Sequence, residues 1–122
     1  MRKDNKTTGS EGENRAYDYL KSKDFEIIAR NWRIKGGEID LIAKKGETIV
    51  FFEVKTLPNA TLDMLKAVLG PQKQQRIIKT SKRFLQINRQ YSNYFVRFDV
   101  IIFDMQDLPP VYHIENAFSA HL

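Results

Sequence analysis

The alternation of apolar and polar positions along the chain predicts seven regular elements. Ala16, Tyr17 and Leu20 fall on one face at helical spacing and predict a helix that begins near Gly9 or Ser10. Apolar runs over residues 25–33, 37–43, 48–56, 94–104 and 111–114 predict five strands. A second helical stripe follows Pro71, a residue that suits the first turn of a helix, and covers 72–88. The predicted order is helix, three strands, helix, two strands, which indicates an α/β domain with a mixed sheet.

The second and third strands predict a hairpin whose turn carries Gly46. Side chains alternate along a strand, so Glu53 and Lys55 share one face of the third strand. The same alternation places Glu38, Asp40 and Ile42 on one face of the second strand, and Ile39, Leu41 and Ala43 on the other. One antiparallel register brings Asp40 beside Glu53 on a common face.

Two carboxylates placed together in a largely apolar hairpin are costly unless a cation neutralises them. Aspartate and glutamate are oxygen ligands that suit Mg²⁺, which prefers a phosphate as a further partner. Lys55, two residues after Glu53, can reach the same pocket and contact a phosphate or a metal-bound water. We interpret Asp40 followed by Glu53-Val54-Lys55 as the site of a metal-dependent phosphodiesterase. The simpler interpretation is an acid near a turn and a solvated Glu–Lys pair.

Length and composition fit one soluble domain. The chain has 122 residues, a formal net charge of +5 and no cysteine, which excludes disulfides and thiolate chemistry. We expect a polar, disordered tail over 1–8 and a single domain over 9–122. No apolar run reaches transmembrane length and no signal sequence is visible, so we expect a cytoplasmic protein without membrane contact.

The basic residues are concentrated in one part of the chain. Residues 58–97 contain eight Lys or Arg and one acid, whereas residues 98–122 contain four acids and no Lys or Arg. A local basic surface favours a polyanion such as nucleic acid, bound through its phosphates. A solvated helix face that keeps the protein soluble explains the same pattern.

Several motifs together resemble the YraN-like family of small bacterial proteins, which are described as candidate endonucleases. The matching segments are Gly12-Glu13-x-x-Ala16, Arg30-Asn31-Trp32-Arg33, Gly37 to Ala43, Phe52 to Lys55, Arg97 to Val100 and Asn116-Ala117-Phe118. They occur in the family's order and extend over about residues 9–118. One feature departs from the wider superfamily, in which a proline stands at the position of Ile39, before Asp40. Another departs from the family, in which a basic residue and a Phe-Gly stretch stand in place of Thr56 to Ala60.

The resemblance implies a restriction-endonuclease-like fold, close to Holliday junction resolvases, with the element order α-β-β-β-α-β-β. It implies that Asp40, Glu53 and Lys55 are catalytic, and that Mg²⁺ or Mn²⁺ is held by Glu13, Asp40, Glu53 and the carbonyl of Val54. The expected partner is DNA, branched or otherwise structured, and resolvases imply a homodimer by analogy. We expect the nucleic acid to contact Arg33, Gln72, Lys73, Arg76, Lys79, Lys82 and Arg83.

Other polar residues allow more than one interpretation. Ser10 and Glu13 have the spacing of a helix capping box, so Glu13 is either a cap or a carboxylate directed at the metal site. Asp99 interrupts an apolar strand, and we expect it to pair with Arg97 or Arg33 in a structural role. We predict no metal role for His113 and His121, whose spacing is unlike that of ligands.

Two further classes of function remain open. The chain could be a nucleic-acid-binding module with little activity that works through a partner. It could also be a structural or interaction protein in which the hairpin charges form a buried ion network.

Overall fold

The computed structural model describes residues 5–67 and 69–120. Helix α1 covers Asn5–Ser22, and strands β1 Glu26–Ile34, β2 Gly37–Lys45 and β3 Thr48–Thr56 follow. A 3-10 helix at Leu62–Ala67 precedes helix α2, Pro71–Ile87, and a second one at Arg89–Tyr91 follows it. Strands β4 Phe95–Phe103 and β5 Val111–Phe118 complete the described elements. The predicted order of helices and strands is confirmed, with the two 3-10 helices in addition.

The strands form one five-stranded sheet in the order β1-β2-β3-β4-β5. Strands β3 and β4 are parallel, and the other neighbouring pairs are antiparallel. A parallel pair requires a crossover connection, and here α2 supplies it between β3 and β4. The mixed α/β sheet is therefore as predicted, with β5 at an edge.

The helices cover opposite faces of the sheet. On one face, Ala16 and Leu20 of α1 pack against Phe52 and Phe103. On the other face, α2 packs against Phe51 and its neighbours through Ile77, Ile78 and Phe84. Val100 and Ile102 of β4 are covered on this second face by Leu57, Ala60, Leu65 and Leu69. Residues 98–103 are buried throughout, as their near-continuous apolarity predicts for a strand covered on both sides.

The start of α1 differs from the prediction. The helix begins at Asn5 and so includes residues 5–8, which were expected in the tail, whereas residues 1–4 lie outside the described residues. Ser10 lies inside the helix and cannot act as its N-cap, so the capping-box interpretation is wrong. Glu13 is thus available for another role.

The face assignment of β2 is wrong at Ile39. Ile39 packs in the cluster under α2 together with Ile42, whereas Leu41 packs under α1. Strict alternation would put Ile39 and Leu41 on the same face. The alternation therefore breaks at Asp40.

A buried polar network joins α1, β4 and β5. The Asp99 carboxylate accepts hydrogen bonds of 2.9 Å from the Arg97 guanidinium and from the backbone N–H of Asn116. His113 Nε2 lies 2.7 Å from Oδ2 of this carboxylate, the oxygen that also accepts from Arg97 Nη2, and its Nδ1 lies 3.1 Å from the Tyr19 hydroxyl. The predicted pairing of Asp99 with Arg97 is confirmed, and the alternative pairing with Arg33 is wrong because Arg33 contacts Glu38. His121 lies outside the described residues.

Candidate active site

Asp40 lies where strands β2 and β3 separate. The pairing of the two strands ends at Leu41 and Phe52, one step before Asp40 and Glu53 would face each other. There the Asp40 carboxylate accepts a 2.8 Å hydrogen bond from the backbone N–H of Val54. This bond replaces the backbone ladder and fixes the carboxylate between the strands. The local break in alternation follows from it.

Glu53 lies beside Asp40 and is held by two lysines. The Glu53 side chain is only 7% exposed, and its Oε1 accepts contacts from Lys73 Nζ at 2.6 Å and Lys55 Nζ at 3.3 Å. Lys55 is on the same strand, whereas Lys73 comes from the first turns of α2. As predicted, Glu53 and Lys55 share a face of β3, since Phe52 and Val54 pack on the α1 side. A carboxylate this buried is stabilised by paired cations.

Glycine allows α2 to lie close to this part of the sheet. A Cβ at Gly37 would stand 1.9 Å from Oγ1 of Thr80, a buried residue of α2, so no side chain fits at this position. The approach forms a cleft of about 180 Å³ in which Lys73 and Arg76 of α2 face Asp40 and Glu53. Gly37 therefore positions the basic residues of the helix over the acidic residues of the sheet.

Two more carboxylates lie close to Asp40, one on α1 and one on β2. Glu13 of α1, Glu38 and Asp40 each place a carboxylate oxygen within 4.8 Å of those of the other two. Glu13 accepts a 2.8 Å hydrogen bond from the side-chain amide of Asn31, a residue with a left-handed backbone (φ 50°). Glu38 pairs with the exposed Arg33 at 3.3 Å. Asp40 thus belongs both to this cluster of three carboxylates and to the cleft that contains Glu53.

The electrostatics reflect this concentration of acids. Burial and the nearby charge of Glu53 raise the pKa of Asp40 to about 7, although the Val54 hydrogen bond acts in the opposite direction. Burial alone would lower the pKa of Lys73, but its ion pair with Glu53 outweighs burial and the net pKa is raised. Lys73 is thus held as a cation, whereas Asp40 takes up a proton at a higher pH than an ordinary aspartate does.

The structure brings together most of the residues predicted for the site. Asp40, Glu53, Lys55 and Lys73 lie in or beside the cleft, and Glu13 reaches Asp40 from the α1 side. Val54 contributes its N–H to Asp40, and metal binding by its carbonyl stays a prediction. Among the residues predicted to bind nucleic acid, Arg76 lines the cleft and Gln72 is exposed beside it, whereas Lys79, Lys82 and Arg83 line a separate groove.

Two site residues were not identified from the sequence. Glu38 precedes Asp40 by two positions, so strand alternation predicts only that the two side chains share a face. It does not predict that the Glu38 carboxylate joins those of Asp40 and Glu13. Asn31 was noted only as part of a motif, although it orients Glu13. Asparagine is among the few residues that adopt a left-handed backbone, but nothing in the sequence shows that position 31 requires one.

The donor atoms fit a hard divalent cation. Glu13, Glu38, Asp40 and Glu53 offer carboxylate oxygens, the ligands that Mg²⁺ and Mn²⁺ prefer. Burial, and then the charges of Glu53, Glu13 and Glu38, raise the pKa of Asp40, and a bound cation would offset both effects.

The fold and the cleft define a small mixed α/β domain with clustered carboxylates and lysines where two central strands separate. The model of the family described as "Uncharacterised protein family UPF0102" matches residues 12–103, and the chain belongs to this family. UPF0102 proteins of Treponema pallidum (strain Nichols) and Treponema denticola are similar to it, with 44% and 40% identity. The first alignment covers 98% of both chains, and the second covers 91% of this chain and 94% of the relative.

A UPF0102 protein of Geobacter metallireducens is 40% identical over 94% of each chain. The matched region contains α1 from Gly12, all of the cleft and the strands as far as Phe103. In the described part of the chain, neither helix combines the length and apolarity needed to span a membrane.

Proposed function

We propose that this protein is a metal-dependent endodeoxyribonuclease that hydrolyses phosphodiester bonds. The observation that carries the proposal is the convergence of Asp40 and Glu53 in a cleft that also contains Lys73 and Arg76. The acids suit a divalent cation, and the basic residues suit the phosphate to be cleaved. The cleft opens beside the basic helix α2, which supplies further cations for a nucleic-acid backbone.

Mg²⁺ or Mn²⁺ would be held by Asp40 and Glu53, with Glu13 and the Val54 carbonyl as further ligands. When bound, such an ion polarises a phosphoryl oxygen and lowers the pKa of a coordinated water. Glu38 belongs to the same carboxylate group as Asp40 and Glu13 and could take a place among the ligands.

The chain's own residues have separate roles in this proposal. The Val54 N–H fixes the orientation of the Asp40 carboxylate. Lys55 and Lys73 both pair with Glu53 Oε1, and each has further N–H donors for a phosphate oxygen or the attacking water. Arg76, which is exposed at the cleft, would contact the neighbouring phosphate.

The resemblance to the YraN-like family supports the same reaction. The cleft residues Asp40, Glu53 and Lys55 are those that the resemblance assigns to a restriction-endonuclease-like site, and the element order agrees with that fold. By the same analogy we propose a homodimer in the cytoplasm that acts on branched DNA. A domain this small has little surface for reading bases, so the geometry of the DNA is the better basis for selectivity.

The ion pairing of Glu53 supports a second candidate function. Its Oε1 already contacts both lysines, an arrangement that also suits a stable ion network. In this alternative the protein is a nucleic-acid-binding module of the same fold that has little activity and works through a partner.

Cleavage of defined DNA substrates distinguishes the two candidates. Labelled Holliday junction, flap, single-stranded and duplex DNA are incubated with Mg²⁺ or Mn²⁺ and either wild type or Glu53→Ala/Lys55→Ala. A matched control, Arg15→Gln/Asp104→Asn, removes an exposed ion pair outside the cleft. Circular dichroism and thermal melting establish that each variant is folded.

We expect wild type and the control to cut at least one substrate and the folded Glu53→Ala/Lys55→Ala variant to cut none. Binding without cleavage by wild type would favour the binding module. If wild type neither binds nor cuts DNA, the nuclease proposal is wrong and the carboxylates require a structural explanation.

A further inference from the structure

A second groove lies near the C-terminal end of α2, beyond the cleft. It has a volume of about 500 Å³ and runs between α2 and the segment 89–96. Two cations, two tyrosines and two aliphatic side chains face it: Lys82, Arg89, Tyr91, Tyr94, Leu85 and Val96. No acidic residue is among the described residues that line it. The groove thus combines positive charge with aromatic and apolar surface.

The tyrosines of this groove are held in place. The Tyr91 ring stacks on Phe84, a core residue of α2, with 6.1 Å between ring centroids. Tyr94 meets Tyr91 edge-on at 5.3 Å, and its hydroxyl accepts a 3.4 Å hydrogen bond from Lys44. Rings that are already ordered lose little conformational entropy when a ligand packs on them.

A row of cations runs along α2 from the cleft towards this groove. Lys73, Arg76, Lys79 and Lys82 follow one another at every third position of α2. At 1.5 Å per residue the row is about 13 Å long, which is the length of a few nucleotides at roughly 3.4 Å each. An intermediate groove of about 490 Å³ contains Lys79 and shares Lys82 with the tyrosine groove. The intermediate groove and the tyrosine groove therefore meet at Lys82, and Arg76 and Lys79 lie between the cleft residue Lys73 and Lys82 along α2.

We propose that the tyrosine groove binds an unpaired nucleic-acid strand that leads away from the cleft. Bases would stack on Tyr91 and Tyr94 and pack against Leu85 and Val96, while Lys82 and Arg89 contact the phosphates. Aromatic side chains combined with a basic track are the usual means of binding single strands without sequence preference. The inference rests on the proposed function only in taking nucleic acid as the ligand.

The groove suits an unpaired strand better than a duplex. In a duplex the base faces are stacked on one another, and only the phosphates and base edges are accessible. A ligand of that kind would use Lys82 and Arg89 but leave the tyrosine rings and the aliphatic surface without contacts. An acidic peptide would use the cations in the same way and would not need the rings.

Fluorescence anisotropy with labelled oligonucleotides in EDTA tests the groove without cleavage. Tyr94→Ala should weaken binding of a single strand about five-fold or more and leave duplex affinity within about two-fold of wild type. Arg89→Glu, at an exposed position that should not affect folding, should weaken binding of the single strand and lower the slope of log affinity against log salt by at least about 0.7. Tyr17→Ala and Lys21→Ala remove a tyrosine and a cation from α1 and should have no effect.

The inference is overturned if neither groove variant changes single-strand affinity, or if Tyr94→Ala weakens duplex and single strand equally. Competition by polyglutamate as strong as that by the oligonucleotide would indicate a general polyanion surface and would also overturn it. Because no metal is present, loss of binding in the groove variants supports the inference even if the cleavage experiment fails.

Discussion

The carboxylate of Asp40 accepts a hydrogen bond from the amide of Val54, 2.8 Å away on the neighbouring strand. This single contact takes the place of the last backbone pair between β2 and β3. It holds an acid between the two central strands, where burial and Glu53 raise its pKa to about 7. The ionised form of Asp40 thus destabilises the metal-free fold, and the effect can be measured as a change in unfolding free energy.

Asp40→Asn should make the metal-free protein more stable at pH 8. Asparagine keeps an oxygen that accepts the Val54 hydrogen bond but carries no charge. The pKa of Asp40 is higher in the folded than in the unfolded state. Protonated Asp40 therefore stabilises wild type fully below about pH 4, and this stabilisation is lost as the pH rises through about 7. We expect a gain of about 1–3 kcal/mol in unfolding free energy at pH 8 in EDTA, measured by urea denaturation, and a smaller gain at pH 5.

The exposed residue Asp18 of α1 provides the matched control, because Asp18→Asn should leave stability nearly unchanged at both pH values. With Mg²⁺ or Mn²⁺ the melting temperature of wild type should rise more than that of Asp40→Asn. A loss of stability in metal-free Asp40→Asn at pH 8 would show that the fold favours the charged carboxylate, contrary to this account.

Gly37→Ala should separate α2 from β2. The added methyl group would overlap Oγ1 of Thr80, which α2 presents 1.9 Å from the Cβ position. We expect a loss of about 2–3 kcal/mol in unfolding free energy. Thr80→Ala should recover part of this loss in the double variant, although Cβ of Thr80 remains at 3.2 Å. Gly70→Ala, where nothing lies within 4 Å, serves as the control. Additive effects of Gly37→Ala and Thr80→Ala would contradict the proposed close approach.

Most of the fold could be predicted from local pattern. Both helices, all five strands and their order follow from the spacing of apolar residues, and the boundaries differ by a few residues at most strand ends. The early start of α1 at Asn5 could not be read because its first turns carry no apolar residue. The last strand extends to Phe118, beyond the predicted 114, because its later half contains the polar residues Glu115 and Asn116.

The site was predicted in composition but not in geometry. The sequence identifies Asp40, Glu53 and Lys55 by their charge within apolar strands, and the structure places Asp40 and Glu53 side by side in one cleft. The sequence does not show that the strands separate at Asp40, because that break depends on a hydrogen bond across the hairpin. The contribution of Glu38 depends on this break, and that of Lys73 on how α2 crosses the sheet.

Lys73 and Gln72 are adjacent in α2 but should differ greatly in their effect on cleavage. Lys73 reaches Glu53 at 2.6 Å, whereas Gln72 is exposed. If the protein is the proposed nuclease, Lys73→Ala should lower the single-turnover cleavage rate about ten- to a hundred-fold, since it removes a charged donor from the cleft. With the DNA saturating, Gln72→Ala removes at most an uncharged contact to the nucleic acid and should change this rate by no more than about two-fold. Equal effects of the two substitutions would mean that Lys73 has no special place in the reaction.

Asp99→Asn should destabilise the fold and leave the chemistry at the cleft intact. Burial would raise the pKa of Asp99, but hydrogen bonds from His113, Arg97 and the Asn116 amide outweigh it and hold the pKa below its ordinary value. Its stabilising contribution is therefore present above about pH 4 and is lost as pH falls through the lower, folded-state pKa. The asparagine leaves Arg97 without its counter-ion, and we expect a loss of about 2–4 kcal/mol at pH 7.

Urea denaturation of wild type and Asp99→Asn between pH 2 and pH 7 measures this effect. The difference in unfolding free energy should shrink at the acid end, where Asp99 of wild type becomes protonated. Asp104→Asn replaces an exposed aspartate that follows the same strand, and it should alter stability far less because its partner Arg15 is also exposed. A difference between wild type and Asp99→Asn that stays constant down to pH 2 would show that the hydrogen bonds, and not the charge of Asp99, stabilise the junction of α1, β4 and β5.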